Sequence, residues 1–269
     1  MATKTSRKEL KEPDEFITLT HRILQWLYQQ RVPLLLGVAA LILVIVGVVG
    51  WNWYVHSAEM KASQSFIEAY EILDARVAPG EEGTTSADGS YASEQDKYRA
   101  AIEALEQVRK NHASTSTADL ATYFIGESHR RLGEHQKAIE HLEAYLKETG
   151  AGGELAVFAL EGIGLSYEAL GRSEEAVKRF RRLTEPPFDR EPDRGLYHLA
   201  RLEHKSGKAQ EAARMFREIV EKYPGSVFLP EIESRLELLP KLPTTGDVAA
   251  GDETPEEAQP GKVPEGEGG

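Results

Sequence analysis

Eight histidines, 44 carboxylates and no cysteine set the range of chemistry open to this chain of 269 residues. Without cysteine there is no disulfide, no thiolate zinc site and no thiol nucleophile. His129, His135 and His141 step by six residues, as do His198 and His204. Such a step rotates about 240° on a helix, so these side chains share no face and form no His-x-x-x-His metal pair. They read as surface histidines, and no metal is expected. The glycines of Thr149–Gly153 are not a phosphate loop, because no Gly-Lys-Ser/Thr follows them. Glutamate-rich helical stretches read as solvated faces. The formal net charge of −12 excludes nonspecific nucleic-acid binding, which needs a basic surface to neutralise phosphates. The residues therefore predict no enzyme, no catalytic residue, no cofactor, no small-molecule substrate and no nucleic acid. They point to protein partners.

The element that must position anything else is an apolar run. Leu34 to Gly50 holds 17 residues without a charge or a strongly polar group, and Trp51, Trp53, Tyr54 and Val55 extend it. A hydrocarbon core about 30 Å thick needs roughly 20 helical residues, so Pro33 to Tyr54 spans with little tilt to spare. All three tryptophans flank the run, Trp26 before and Trp51 and Trp53 after, where indole sits at headgroup level. A buried core helix rarely needs so long an uncharged stretch. Val55 and Ser57 would permit signal cleavage before Ala58, but a charged lead of 32 residues is too long for a signal peptide. We expect a transmembrane helix over 33–55. No small-xxx-small dimer face is present, since Gly37, Gly47 and Gly50 have the wrong spacing.

The lead, 1–32, carries six Lys and Arg, against Lys61 alone in the 20 residues after Tyr54. This predicts a cytoplasmic N-terminus and a domain outside. Within the lead, Phe16, Leu19, Ile23 and Leu27 fall at helical spacing and predict an amphipathic interfacial helix. Residues 240–269 hold seven carboxylates against two lysines among Pro and Gly, and read as a disordered acidic tail.

Between span and tail, the chain repeats itself. Gly133, Gly171 and Gly207 lie 38 and 36 residues apart. Aligned on them, small residues recur at Gly126, Gly164 and Ala200, alanines at Ala138, Ala176 and Ala212, and large apolar residues at Leu142, Phe180 and Phe216. The pattern resembles the tetratricopeptide repeat. The small positions admit a crossing helix, the glycines turn the chain, and the alanines permit close approach. One unit cannot bury its own apolar face, so about three must stack. The expected fold is therefore all-α: one transmembrane helix followed by a tetratricopeptide-repeat α-solenoid over 56–239. Its repeats lie near 119–152, 157–190 and 193–226, a degenerate first unit at 57–118 carries a loop at 79–90, and a capping helix covers 227–239. The membrane helix should run on into the first helix of that unit.

The resemblance implies that the first helix of each unit lines a concave groove for a partner segment. Carried onto this chain, the lining includes Leu120, Tyr123, Glu127 and Arg130, then Phe158, Glu161, Leu165 and Glu168, then Arg194, Tyr197, Arg201 and His204. The groove would pass from mixed through acidic to basic. The expected partner-binding residues are Tyr123, Arg130, Phe158, Glu161, Arg194, Tyr197 and Arg201. The carboxylate clamp of some such repeats needs asparagines where this chain has Phe124, Gly162 and His198, so that ligand mode is not implied.

The whole layout, with "PDEFITLTHRILQWLYQQR" leading into the span, resembles the YfgM-like ancillary Sec translocon subunit family. That resemblance implies a bacterial inner-membrane scaffold with a periplasmic repeat domain, binding translocon or periplasmic chaperone components. "KYPGS" at 222–226 is also similar to periplasmic repeat proteins of the BamD and CpoB types. These make an adaptor for envelope assembly or cell division an alternative. A non-catalytic regulatory subunit of an enzyme complex is a further one.

Overall fold

The computed structural model describes residues 15–78 and 89–239. The polar lead through residue 14, the greater part of the loop expected at 79–90 and the acidic tail from Pro240 lie outside them. The described residues fold into ten α-helices and no strand. In chain order these are α1 (Glu15–Gln29), α2 (Arg31–Asp74), α3 (Glu94–Asn111), α4 (Ser116–Arg131) and α5 (His135–Thr149). There follow α6 (Ala156–Ala169), α7 (Ser173–Arg182), α8 (Pro192–Lys205), α9 (Ala209–Lys222) and α10 (Leu229–Leu238).

Helix α2 is a single element of 44 residues. No proline follows Pro33 within it, and its glycines Gly37, Gly47 and Gly50 meet no other side chain. At 1.5 Å per residue it is about 66 Å long, twice what a bilayer core requires. By length and composition it can cross a membrane: its apolar window has a mean hydropathy of 3.0 and buries nothing within the fold. Its buried residues begin only at Ala62 and recur at Ala69, seven positions on and so on the same face. That face packs into a cluster with Leu105, Val108, Ala121 and Ile125, with Phe66 and Leu73 at its edge. One helix thus carries an uncovered apolar half and a half built into the helical stack. Beyond it, Val77 and Tyr91 pair as an isolated bridge. Bonds from Ala78 N to Tyr91 O and from Tyr91 N to Arg76 O close the base of the intervening loop.

Local chemistry sets the helix starts. Ser93 accepts a bond from Asp96 N at 3.1 Å and donates to its carboxylate at 2.7 Å, which caps α3. Thr115 accepts from Ala118 N and caps α4. Pro192 begins α8, where its missing N–H costs nothing. Between paired helices the chain turns at Gly171 with φ of +74°, a left-handed value that disfavours a side chain, and Gly133 and Gly207 repeat it. Within the first two pairs the crossing leaves no room for a Cβ, and in the third Ala200 fills the equivalent place. At Gly164 it would lie 2.5 Å from Cε1 of Phe180, and at Gly126 2.8 Å from Cγ of Leu142.

Three buried clusters run along the stack. The first is the α2–α4 cluster, and the second joins α5, α6 and α7 through Leu142, Tyr145, Ile163 and Phe180. The third joins α8, α9 and α10 through Tyr197, Phe216, Ile219 and Ile232. Full burial of side chains of this size contributes about 1.5–3 kcal/mol each, so the terminal helix α10 closes the last cluster as a structural cover.

The histidines depart from expectation. His129 and His198 are buried, not surface residues. The two six-residue steps from His129 to His141 cross the Gly133 turn, so the two rings come from antiparallel helices and stack at 5.3 Å. His129 Nδ1 lies 2.8 Å from the Glu134 carboxylate. Burial, followed by the charge of His129, holds His141 below the usual histidine range.

Candidate partner-binding groove

The first helices of successive pairs, α4, α6 and α8, bring the predicted residues to one side of the stack. Tyr123, Arg130, Phe158 and Glu161 line a cleft of about 190 Å³ between α4 and α6. Phe124, Glu127, Gly162 and Leu165 complete its walls. The Tyr123 ring meets Phe124 and Tyr145 edge-on, at 5.1 and 5.6 Å. Burial and then the nearby Glu127 carboxylate push its phenol well above the ordinary tyrosine value. Phe124 continues the aromatic wall back to α2, with Phe66 at 5.6 Å and Tyr70 at 5.3 Å. Arg130 is held by Glu127 at 2.8 and 2.5 Å, one turn away on its own helix.

The charges of α6 and α8 do not form the acidic and basic stretches that the sequence suggests. They neutralise one another. Glu161 on α6 takes Arg194 at 2.9 Å and His198 at 2.6 Å, both from α8. Glu168, two turns further, takes Arg201 at 2.9 and 2.5 Å and Lys205 at 3.3 Å. The hydrogen bond from Arg201 is the main reason that the Glu168 carboxyl lies below its usual range. Seven residues separate the two glutamates, and seven separate Arg194 from Arg201. That spacing is two helical turns on either side, so both pairs align when α6 and α8 lie side by side.

Arg194 and Tyr197 are committed to the fold. The Arg194 guanidinium stands 4.6 Å from the Phe158 ring and 5.4 Å from the Phe228 ring, and also bonds Glu191. Tyr197 is 5% exposed and stacks on Phe228 at 4.2 Å under the start of α10. Burial and a hydrogen bond donated to Glu231 push its phenol up to about 12. Four of the seven predicted residues therefore line the cleft: Tyr123, Arg130, Phe158 and Glu161. Arg201 lies outside it, paired with Glu168. Arg194 tethers α8 to α6 behind Phe158, and Tyr197 seats the terminal helix.

A surface of half-exposed aromatic rings between pre-paired charges suits a peptide with apolar side chains better than one with a net charge. Burying the apolar side chains drives association, while the paired ions need no rearrangement. At the clamp positions, Phe124 and Gly162 line the cleft and His198 is occupied by Glu161. No amide is offered there to a terminal carboxylate. Among the described residues no group of three or more His, Asp or Glu could hold a metal ion.

Sequence reasoning missed Glu59, Phe228 and Gly195. Glu59 sits on α2 and bonds the start of α4 through Ser116 and Thr117. The only signal for it is the Ser/Thr run at 114–117, which marks a helix start in need of acceptors. A Cβ on Gly195 would lie 2.6 Å from the Phe180 carbonyl oxygen, which explains why the α7–α8 junction requires glycine there.

Comparison with known proteins adds the following. Residues 87–153 and 162–227 match the family model described as tetratricopeptide repeat. No curated protein matches the chain. Among solved structures the chain is similar to a tetratricopeptide repeat protein from Parabacteroides merdae ATCC 43184, with 20% identity and a TM-score of 0.47. The similarity covers 66% of this chain and 59% of that one.

Proposed function

We propose that this chain, which carries tetratricopeptide repeats, is a membrane-anchored scaffold whose repeat domain, 56–239, binds other proteins. Residues 33–55 are the anchor and α1 lies at the cytoplasmic face. The repeats stand outside the cytoplasm, on the periplasmic side of a bacterial inner membrane. The partners are translocon components or periplasmic chaperones, and the binding surface is the cleft bounded by Tyr123, Arg130, Phe158 and Glu161.

The observation that carries this reading is the continuity of α2. Its uncovered apolar half and its buried Ala62–Ala69 face belong to one unbroken helix. A rigid helix of this kind holds the repeats within a few nanometres of the bilayer, where a membrane-embedded partner is within reach. The Lys and Arg bias of the lead supports the orientation.

The test is to extract membranes at alkaline pH and then to purify the full chain from gently solubilised membranes. The reading expects the chain to stay in the pellet and to bring down translocon subunits or periplasmic chaperones. Release into the supernatant would refute the anchor. Enrichment of peptidoglycan or outer-membrane assembly components would replace the partner class with envelope assembly.

A further inference from the structure

A second concavity lies apart from the groove and the anchor. It is a crevice of about 570 Å³ between α7 and α8, bordered by the turn that joins α8 to α9. Its floor is apolar, with Val177 from α7 and Leu202 from α8. Its rim is basic: Lys178, Arg181, Lys205 and Lys208 outnumber Glu174 and Glu203. Lys205 and Lys208 are engaged by Glu168 and Glu203. Lys178 and Arg181 form no ion pair among the described residues, and both are exposed. An apolar floor under unpaired cations calls for a short apolar segment flanked by carboxylates.

The chain contains such a segment, and it leaves the fold nearby. Phe228 stacks on Tyr197, in the first half of α8, and α10 starts at the next residue. The helix runs about 15 Å from there. It lies against α9 and shares the α8–α9 core, where its end at Leu239 is buried. The direction is therefore back along α8 toward Lys205 and the Ser206–Lys208 turn, which border the crevice. Thirty residues follow Leu239. Among them Val248-Ala249-Ala250 is preceded by Asp247 and followed, after Gly251, by Asp252 and Glu253. Nine residues separate Val248 from Leu239, a reach of at most about 30 Å.

We propose that residues 247–253 of this chain dock into the α7–α8 crevice, with Val248, Ala249 and Ala250 on Val177 and Leu202 and the flanking carboxylates on Lys178 and Arg181. Once linked through Leu239, the contact is intramolecular, so its effective concentration reaches the millimolar range and weak pairing suffices.

Because the chain has no cysteine, introduced pairs report the contact without ambiguity. The full chain in detergent is oxidised mildly with Val248→Cys paired to Ser206→Cys, and with Val248→Cys paired to Lys110→Cys on α3 as the distant control. The proposal expects an intramolecular crosslink at Ser206→Cys about tenfold faster than at the control. Lys178→Glu with Arg181→Glu should slow it about fivefold, the effect of about 1 kcal/mol of exposed ion pairing. Asp252→Lys with Glu253→Lys in that same background should restore it. Equal rates at the two positions, a rate indifferent to the charge reversal, or crosslinked dimers that grow with concentration would each overturn the proposal. Lys178 and Arg181 are both exposed, so unchanged thermal melting of their variant separates lost docking from lost folding.

Discussion

Glu59 on α2 and Thr117 on α4, 58 residues apart, are joined twice. The Thr117 N–H and its hydroxyl both donate to Glu59 Oε1, at 2.9 and 2.5 Å. Ser116 adds its own N–H at 3.1 Å and its hydroxyl at 2.9 Å. The first N–H groups of a helix have no partner within it, and a carboxylate is the favoured acceptor for them. The helix carrying the apolar run therefore caps the next unit and does not merely lie beside it. Burial pushes the Glu59 carboxyl up, but the bonds from Thr117 and Ser116 outweigh it and hold the group below 4.5.

Glu59→Ala should lower the stability of the repeat domain by about 1–2 kcal/mol, the cost of losing a charged cap. A carboxylate whose folded value is depressed contributes stability that is present above its unfolded value and lost as pH falls through the folded one. The difference between wild type and Glu59→Gln should thus be full at neutral pH and shrink below about pH 4.5. Urea melts of both proteins between pH 3 and 7 measure it. A difference that is constant across that range would contradict the cap.

Gly164→Leu should cost about 1–3 kcal/mol or more, because any side chain there enters the space of the Phe180 ring. Gly195→Ala should be at least as damaging for its size, since its Cβ would meet a backbone carbonyl that cannot rotate away. Thermal melts of the two variants beside Gly152→Ala, whose Cβ meets nothing within 4 Å, check both. Three equal melting curves would contradict the helix crossings.

Arg194→Ala should destabilise the fold by about 2–3 kcal/mol, since it leaves the Glu161 carboxylate without its arginine in a largely covered site. Arg109→Ala removes an exposed pair with Glu106 and should stay within about 0.5 kcal/mol. Chemical denaturation of both variants compares them. Phe158→Ala, by contrast, should weaken partner binding more than it weakens folding, because its ring is part of the open cleft wall.

A reporter active only outside the cytoplasm, fused after Leu239, should be active, and the same reporter at the N-terminus should be silent. The reverse pattern would invert the topology.

Much of the architecture was legible in the sequence because repetition amplifies it. A turn glycine, a small crossing residue and a buried alanine recur three times, so Gly171, Gly164 and Ala176 each have two counterparts to confirm the register. The apolar run was equally plain from its length. The electrostatics of the groove were not legible. Listing side chains by helix places Glu161 and Glu168 on one wall and Arg194 and Arg201 on the next, but it cannot tell that both pairs sit in register within bonding distance. The histidine reading failed for a related reason. A step of six residues has one meaning on a single helix and another across a turn, and Gly133 lies between His129 and His141. Glu59 was invisible because a cap supplied from 57 residues away leaves no local pattern.

The central claim is that the cleft between α4 and α6 is where an anchored scaffold receives a protein partner. Site-specific photocrosslinking in intact membranes tests it most directly, with the photoreactive residue at Phe158 on the cleft or at Ala144 on the exposed face of α5. The account predicts discrete adducts with translocon subunits or periplasmic chaperones from position 158, absent from position 144 and lost with Tyr123→Ala. Identical adducts from both positions, or none from position 158 in a chain shown to be folded and membrane-bound, would contradict it.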